Sequence, residues 1–516
     1  MPELSLHPLR KTNAIALLLS FALAKLLVHL LTNAFGDYGI FRDELYYIAC
    51  SNHLGAGYVD QPPLSIYILA LNRFLLGDSI FALRLLPAIA GAATVYITGR
   101  TAREFGGGTF AQMLACLGSI VSLINLGMGS VYSMNAIDHL LTALAIFFTA
   151  RLLTSCDRKY WIFLGVALGL GTLNKIGMAW IGSGIALGIL LSSYRGWFAT
   201  RWPWLAAALT LIIFLPYILW NISHDFAHLE FIRNASEGKY SGLSPWTFTT
   251  GQILNQNPVT FPLWVAGLYF LFFDSNGKAF RPLGIMFLFS FAVLAFNGHS
   301  KAEYLAPAFP ALFAGGGVIL ERISARRLMR WFRPVYVFFL AVGFTLAPFA
   351  ISILPVETYV RYAKALGEKP SSAESKELAE LPQHYADRFG WEDKAAAVAR
   401  AFHRLSPEEQ AKCALFGDNY GRCGAIDYFG RKYGLPEAIG SHNNYWIWGP
   451  RDYSGEVVLI LGGDLENKQS VFAGVEVVDS VSSRYCMPYE NNLRIYLCRN
   501  LKMPLKELWQ QVKHYD

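Results

Sequence analysis

Three carboxylates follow directly on a strongly apolar N-terminal segment: Asp43 and Glu44 in FRDELYYIAC (residues 41–50) and Asp60 in GYVDQPPLS (57–65). A carboxylate at the edge of a bilayer is costly unless it meets solvent, a cation or a reacting group. Other polar residues recur at comparable places. Asp138 and His139 open one apolar stretch, Asn174 and Lys175 separate two others, and Lys301 and Tyr304 stand in NGHSKAEY between two more. Carboxylates and ammonium groups collected on one face suit a reaction in which one group loses a proton and an anion departs. The carboxylate accepts the proton and the cations receive the anion.

The elements that must hold these groups are set by composition. Of 516 residues, 54% are hydrophobic and only 16% charged, with a mean hydropathy of +0.33. That balance points to a polytopic membrane protein rather than a soluble one. Apolar stretches lie at 14–31, 80–99, 107–127, 137–154, 160–173, 176–193, 203–220, 258–273, 283–298, 304–320 and 335–354. These make about 11 spans of bilayer-compatible length. The first lacks a small-residue cleavage site before Gly36 and reads as a retained helix, with Lys25 and His29 turned toward other helices.

With the N-terminus cytoplasmic, the inside segments hold Arg100, Arg103, Arg151, Arg158, Arg195 and Arg201, with a further cluster from Arg322 to Arg333. The short outside segments are much poorer in Lys and Arg, as the positive-inside rule requires. The net charge of +7 is therefore a topology signal, and no nucleic-acid-binding motif accompanies it. The carboxylates and Lys175 and Lys301 all fall on the outer face. The first outer loop, 35–79, carries apolar residues at helical spacing with polar interruptions, which fits two amphipathic helices along the membrane surface. On the first of these, Asp43, Tyr46 and Tyr47 share a face. Asp60, ahead of Pro62 and Pro63, also suits a helix cap.

An odd span count sends residues 355–516 outside. Their composition is soluble, KCALFGD and EVVLILGGD read as buried strands ending in glycine turns, and GAIDYFGRKYG reads as a helix. A small α/β domain is expected there, after a membrane domain of residues 1–354. Cys413, Cys423, Cys486 and Cys498 lie in it as two local pairs, and an extracytoplasmic position permits the bridges Cys413–Cys423 and Cys486–Cys498.

The FRDELYY and YVDQPPL loop, the IDHLLTALAIFF span, LNKIG and HSKAEYLAPAFPAL, in that order over residues 10 to 350, resemble the GT-C membrane glycosyltransferases. The resemblance is to the bacterial relatives of protein O-mannosyltransferases and of the lipid A aminoarabinose transferase. It implies a mainly α polytopic fold and an inverting transfer of sugar from a polyprenyl-phosphate carrier on the extracytoplasmic side. It implies Asp43 as general base, Asp60 as the acid that positions acceptor or metal, and Asp138 as a third catalytic acid. Lys175, Lys301 and Tyr304 are implied near the donor phosphate, and Arg84 is grouped with them. Glu44, His224 and His228 are secondary candidates. Relatives often carry Lys before PPL, where this chain has Gln61.

The resulting expectation is a glycosyltransferase of the bacterial cytoplasmic (inner) membrane. It uses a polyprenyl-phosphate-linked sugar and a lipid, glycan or protein hydroxyl acceptor. A divalent metal ion is the one cofactor left open: His224, Asp225 and His228 are available, without a full ligand set. The competing class is a transporter or flippase of lipid-linked sugars, in which intramembrane charges such as Lys25 would line a path. Transporters tend to show repeated halves and midplane sites, whereas the polar groups here gather at one face.

Overall fold

The computed structural model describes residues 8–239, 242–372, 374 and 376–516. Its contacts divide the chain into two units. One comprises Met1–Gly36, Leu76–Leu219 and Gly242–Leu354, and the other Asp37–Leu75, Trp220–Ser241 and Pro355–Asp516.

The first unit is helical, as it must be if its backbone is to satisfy its own hydrogen bonds in hydrocarbon. Among the described residues, seven helical segments are long and apolar enough to cross a membrane: Ala14–Phe35, Ile80–Glu104, Met134–Ser155, Arg201–Ser223, Gly277–Phe296, Ala302–Ala325 and Arg327–Phe349. The other four expected spans are also helical but shorter. They are Thr109–Val121, Lys159–Asn174, Met178–Leu190 and Pro258–Phe272. The chain is thus a multi-pass membrane protein of mainly α structure. The stretch 107–127 divides at Ser122, whose hydroxyl accepts from Asn125 N and starts a second short helix, Leu123–Met128.

Lys25 and His29 are buried within this unit, at 1% and 0% exposure. Lys25 Nζ donates to the Asn125 carbonyl at 3.2 Å, and Asn125 Oδ1 lies 3.0 Å from His139 Nδ1. Both residues therefore face protein, as expected for charged groups on a spanning helix.

The second unit is built on a five-stranded sheet of order β2-β1-β3-β5-β4. The strands are β1 (Cys413–Gly417), β2 (Ile439–Gly440), β3 (Val457–Leu461), β4 (Phe472–Val481) and β5 (Leu493–Leu501). β1 runs parallel to β2 and β3, with Leu415 opposite Leu459, while β5 is antiparallel to both β3 and β4. The continuous apolar runs of β1 and β3 reflect burial on both faces, the usual state of parallel strands. β4 lies at the edge and carries mostly exposed or half-buried side chains. The helix expected in GAIDYFGRKYG forms over Tyr420–Phe429. Two first-loop helices form as well, Arg42–Asn52 and Leu64–Leu76.

The expected disulfides do not form. Cys413, Cys423, Cys486 and Cys498 are free and buried. Local spacing misled because each sulfur turns into the core. Cys423 Sγ lies 3.3 Å from the Gly417 carbonyl and 3.5 Å from that of Ile439, while Cys486 Sγ lies 3.1 Å from the Ser483 carbonyl. The domain is held instead by its apolar core and by a buried ionic group. Glu490 accepts from Arg422 Nε at 3.0 Å and Asn419 Nδ2 at 2.8 Å, with Lys394 Nζ at 3.7 Å.

Candidate active site

In the second unit, the helices Arg42–Asn52 and Tyr420–Phe429 approach backbone to backbone. A Cβ on Gly421 would fall 2.7 Å from Arg42 Cγ, and one on Gly424 would fall 2.9 Å from Leu45 Cβ. The missing side chains bring Tyr420 to Asp43, whose Oδ1 accepts the Tyr420 hydroxyl at 2.9 Å and lies 3.5 Å from Arg42 Nε. Asp43 occupies the first helical turn, where the helix dipole favours an anion. Its side chain remains 38% exposed, so an incoming hydroxyl can reach it.

Arg42 is buried, and its guanidinium contacts Tyr489 Oη at 2.7 Å, with Asp387 and Glu374 carboxylates each at 3.7 Å. Burial pushes the Asp387 carboxyl up to about 6 against the opposing pull of Arg42. Glu44 is buried and accepts from Phe41 N at 2.9 Å, closing the start of the helix. That bond gives Glu44 a structural task and distinguishes it from its neighbour Asp43.

Asp60 accepts from the Tyr46 hydroxyl at 2.9 Å, and the same oxygen lies 3.1 Å from Asn444 Oδ1. Burial and the Asp60 charge hold the Tyr46 phenol well above its usual range, so it stays a hydrogen-bond donor. Asn444 Oδ1 also accepts from Val59 N at 2.8 Å. His228 Nδ1 lies 2.9 Å from the Val59 carbonyl, and burial lowers its pKa to about 4. The neutral imidazole is a brace for the loop that carries Asp60. His224 stacks on Trp220 with ring centroids 4.3 Å apart, and its Nδ1 lies 2.9 Å from the Trp220 carbonyl.

The first unit holds a separate polar group. Lys175 Nζ donates to Asn135 Oδ1 at 2.8 Å, lies 3.8 Å from Asp138 Oδ2, and sits 4.8 Å from the centre of the Tyr304 ring. Lys175 is placed by the end of the helix Lys159–Asn174, and Asp138 by the first turns of Met134–Ser155. Lys301 immediately precedes the 3-10 turn Ala302–Ala308 that carries Tyr304. Arg84 is buried on the helix Ile80–Glu104. Asp138, Lys175 and Tyr304 are thus brought together. Of the second-unit candidates, Asp43 and Asp60 are bound by Tyr420 and Tyr46, whose rings stand 4.8 Å apart.

His224, Asp225 and His228 do not form a metal-binding set. Among the described residues, the set with three donors in range is His442, His514 and Asp516, whose ligand atoms lie within 4.8 Å of one another. These are bonded to each other: His442 Nε2 is 2.7 Å and His514 Nε2 3.2 Å from the Asp516 carboxylate. His442 Nδ1 accepts from Tyr420 N at 3.4 Å, which leaves the Nε2 proton for Asp516.

Sequence reasoning did not single out Arg42, Tyr420, Asn444 or Asp387. Tyr420 and Asn444 lie in GDNYGRCG and GSHNNYWIWGP, stretches rich in polar residues next to glycine and aromatic rings. That composition was the available signal, but GDNYGRCG reads better as a glycine-rich strand-to-helix turn and the aromatic stretch slightly better as packing than as a sugar-stacking surface.

The family described as dolichyl-phosphate-mannose-protein mannosyltransferase matches residues 60–220. The lipid A galacturonosyltransferase RgtD of Rhizobium johnstonii is 26% identical over 202 residues, 38% of this chain and 42% of that protein. The undecaprenyl phosphate-alpha-4-amino-4-deoxy-L-arabinose arabinosyl transferase 2 of Pseudomonas fluorescens is 23% identical over 288 residues, 53% of this chain and 49% of that one. The chain spans about half the length of the curated relatives it matches. The crystal structure of ArnT from Cupriavidus metallidurans in the apo state superposes with a TM-score of 0.61 at 14% identity, covering 94% of this chain and 98% of that one. The fold is the one seen in that ArnT structure.

Proposed function

We propose that the protein is an inverting glycosyltransferase that moves a sugar from a polyprenyl-phosphate carrier to a hydroxyl of a lipid, glycan or protein acceptor. The carboxylate of Asp43 takes the proton of the acceptor hydroxyl as its oxygen attacks the anomeric carbon. The bond from that carbon to the carrier phosphate breaks, and its electron pair leaves with the phosphate. Lys175 and Lys301 balance the departing charge, with Tyr304 and Arg84 beside them in role. Asp60 orients the acceptor through its loop, and Asp138 fixes Lys175.

The working division is a transferase body of residues 1–354 and a soluble domain of 355–516, set in a bacterial inner membrane with the soluble domain outside. The observation that carries the reading is the Asp43 carboxylate, part-exposed at a helix N-terminus and held by one phenol and one guanidinium. The name of one relative, an undecaprenyl phosphate-alpha-4-amino-4-deoxy-L-arabinose arabinosyl transferase, supports the donor class.

The test is transfer of sugar by purified protein in detergent, from a polyprenyl-phosphate-linked donor, with no membrane gradient present. Turnover under those conditions supports the enzyme. Its absence alongside gradient-dependent movement of the lipid-linked sugar in vesicles would favour the transporter class.

A further inference from the structure

The second unit contains a cavity of about 530 Å³ at the carboxyl ends of β1 and β3. From β1 the chain passes through the helix Tyr420–Phe429 to β2 on one side, and β3 lies on the other. The crevice beyond β1 and β3 is therefore the place where strand order reverses, where open α/β sheets take ligands. Its floor is made by Asp418 and Asn419 after β1 and by Gly462, Gly463 and Asp464 after β3. Gly462 and Gly463 adopt φ of 84° and 75°, so the backbone itself comes to the cavity surface. Asp464 precedes the helix Leu465–Val471 without a side-chain capping bond, its charge acts on Lys468 of that helix, and it lines the cavity.

The lining carries four carboxylates (Glu374, Asp418, Asp464 and Asp516) against four Lys or Arg side chains (Arg42, Lys376, Arg422 and Arg494), with His442 and His514 besides. Its two buried arginines are already neutralised, Arg42 by Asp387 and Glu374, Arg422 by Glu490 and Asp418. An anion site would carry surplus positive charge. Balanced donors and acceptors instead match hydroxyl groups, each of which both gives and takes a hydrogen bond. The rings of Tyr420, Tyr489 and Tyr496 supply apolar surface between them. The volume falls in the range of small-ligand sites, about 300–1,000 Å³. Two of its wall residues, Tyr420 and Arg42, are the ones that contact Asp43.

We propose that this cavity binds a saccharide of the acceptor, so that the acceptor is a glycan or glycolipid and not a protein. This rests on the transferase reading above. The sugar next to the accepting hydroxyl sits among the tyrosines, and Asp464 and Arg494, both exposed at the cavity, bond its hydroxyls.

Full-length protein in detergent is assayed with the metabolically tritiated polyprenyl-phosphate-sugar fraction of host membranes as donor and dilutions of unlabelled envelope extract as acceptor. Asp464→Ala and Arg494→Ala should each raise the acceptor concentration for half-saturation by about tenfold, the loss of one or two hydrogen bonds. Turnover at saturating acceptor and the donor KM should stay at wild-type values. Labelled product should survive protease digestion intact. Wild-type transfer with unchanged half-saturation in both variants overturns the cavity assignment alone, as does label recovered on peptides. Absence of any wild-type transfer overturns the transferase reading beneath it.

Discussion

The Tyr420 hydroxyl donates to Asp43 at 2.9 Å and so joins two residues 377 positions apart in the chain. The bond uses one lone pair of Asp43 Oδ1 and limits rotation of the carboxylate, and in the proposed reaction the other oxygen would take the substrate proton. Its geometry depends on Gly421 and Gly424, because any side chain there would push the two helices apart. A carboxylate restrained in this way is pre-positioned for proton transfer.

Asp43→Asn keeps the size of the side chain and its ability to accept from Tyr420, but removes the base. Turnover should fall by roughly 100- to 10,000-fold, with thermal stability and donor binding near wild type. Transfer assays at saturating donor, paired with a binding assay, check this. Near-normal transfer would move the role of base to Asp60 or Asp138.

Tyr420→Phe retains the ring packed against Tyr46 and loses only the hydroxyl. A hydrogen bond to a charged group is worth about 1.5–3 kcal/mol, so kcat should drop by about 10- to 100-fold. Unaltered kcat would mean that the bond to Asp43 is incidental to catalysis.

Lys175→Gln should raise the donor KM more than it lowers kcat, and it should also destabilise the protein. The second effect follows because Asp138, only 7% exposed in its side chain, would lose its cationic neighbour. Leaving one partner of a buried pair alone costs about 3–5 kcal/mol. The double variant Asp138→Asn with Lys175→Gln should recover much of the stability and none of the donor affinity. Melting curves and donor titrations separate the two.

His228 gives a pH dependence with a definite sign. Its folded pKa of about 4 lies below the ordinary histidine value of 6.5, so the unfolded chain binds more protons between the two. The stabilisation is present above pH 6.5 and is lost as pH falls toward 4, by at most about 3 kcal/mol. His228→Asn retains a donor toward the Val59 carbonyl without a titrating ring. It should flatten this part of the stability profile measured by denaturant titration at several pH values.

The helical stretches were legible because hydrophobicity over bilayer length leaves the backbone few alternatives. The break at Ser122 was not, since a hydroxyl can continue a helix or restart one, and only its bond to Asn125 N decides. β1 and β3 were readable from KCALFGD and EVVLILGGD as continuous apolar runs. Asp43 and Asp60 stood out as charges in costly places, whereas their partners Tyr420 and Tyr46 did not. A tyrosine reads as packing until its hydroxyl is seen to meet a carboxylate, and Tyr420 reaches Asp43 through a fold contact that no local spacing encodes. His228 did not enter a ligand set because, among the described residues, no group of three donor atoms gathers around it.

The seven thiols offer a consequence of a different kind. Six are buried, and Cys156 alone is exposed, at the left-handed residue that ends the helix Met134–Ser155. The unaltered chain should therefore behave as a single-site target for a maleimide too polar to enter the bilayer. In intact cells such a reagent should leave Cys156 unmodified if its loop faces the cytoplasm, and should alkylate it once the membrane is opened. Native sequence alone would then report sidedness, without engineered cysteines or fused reporters.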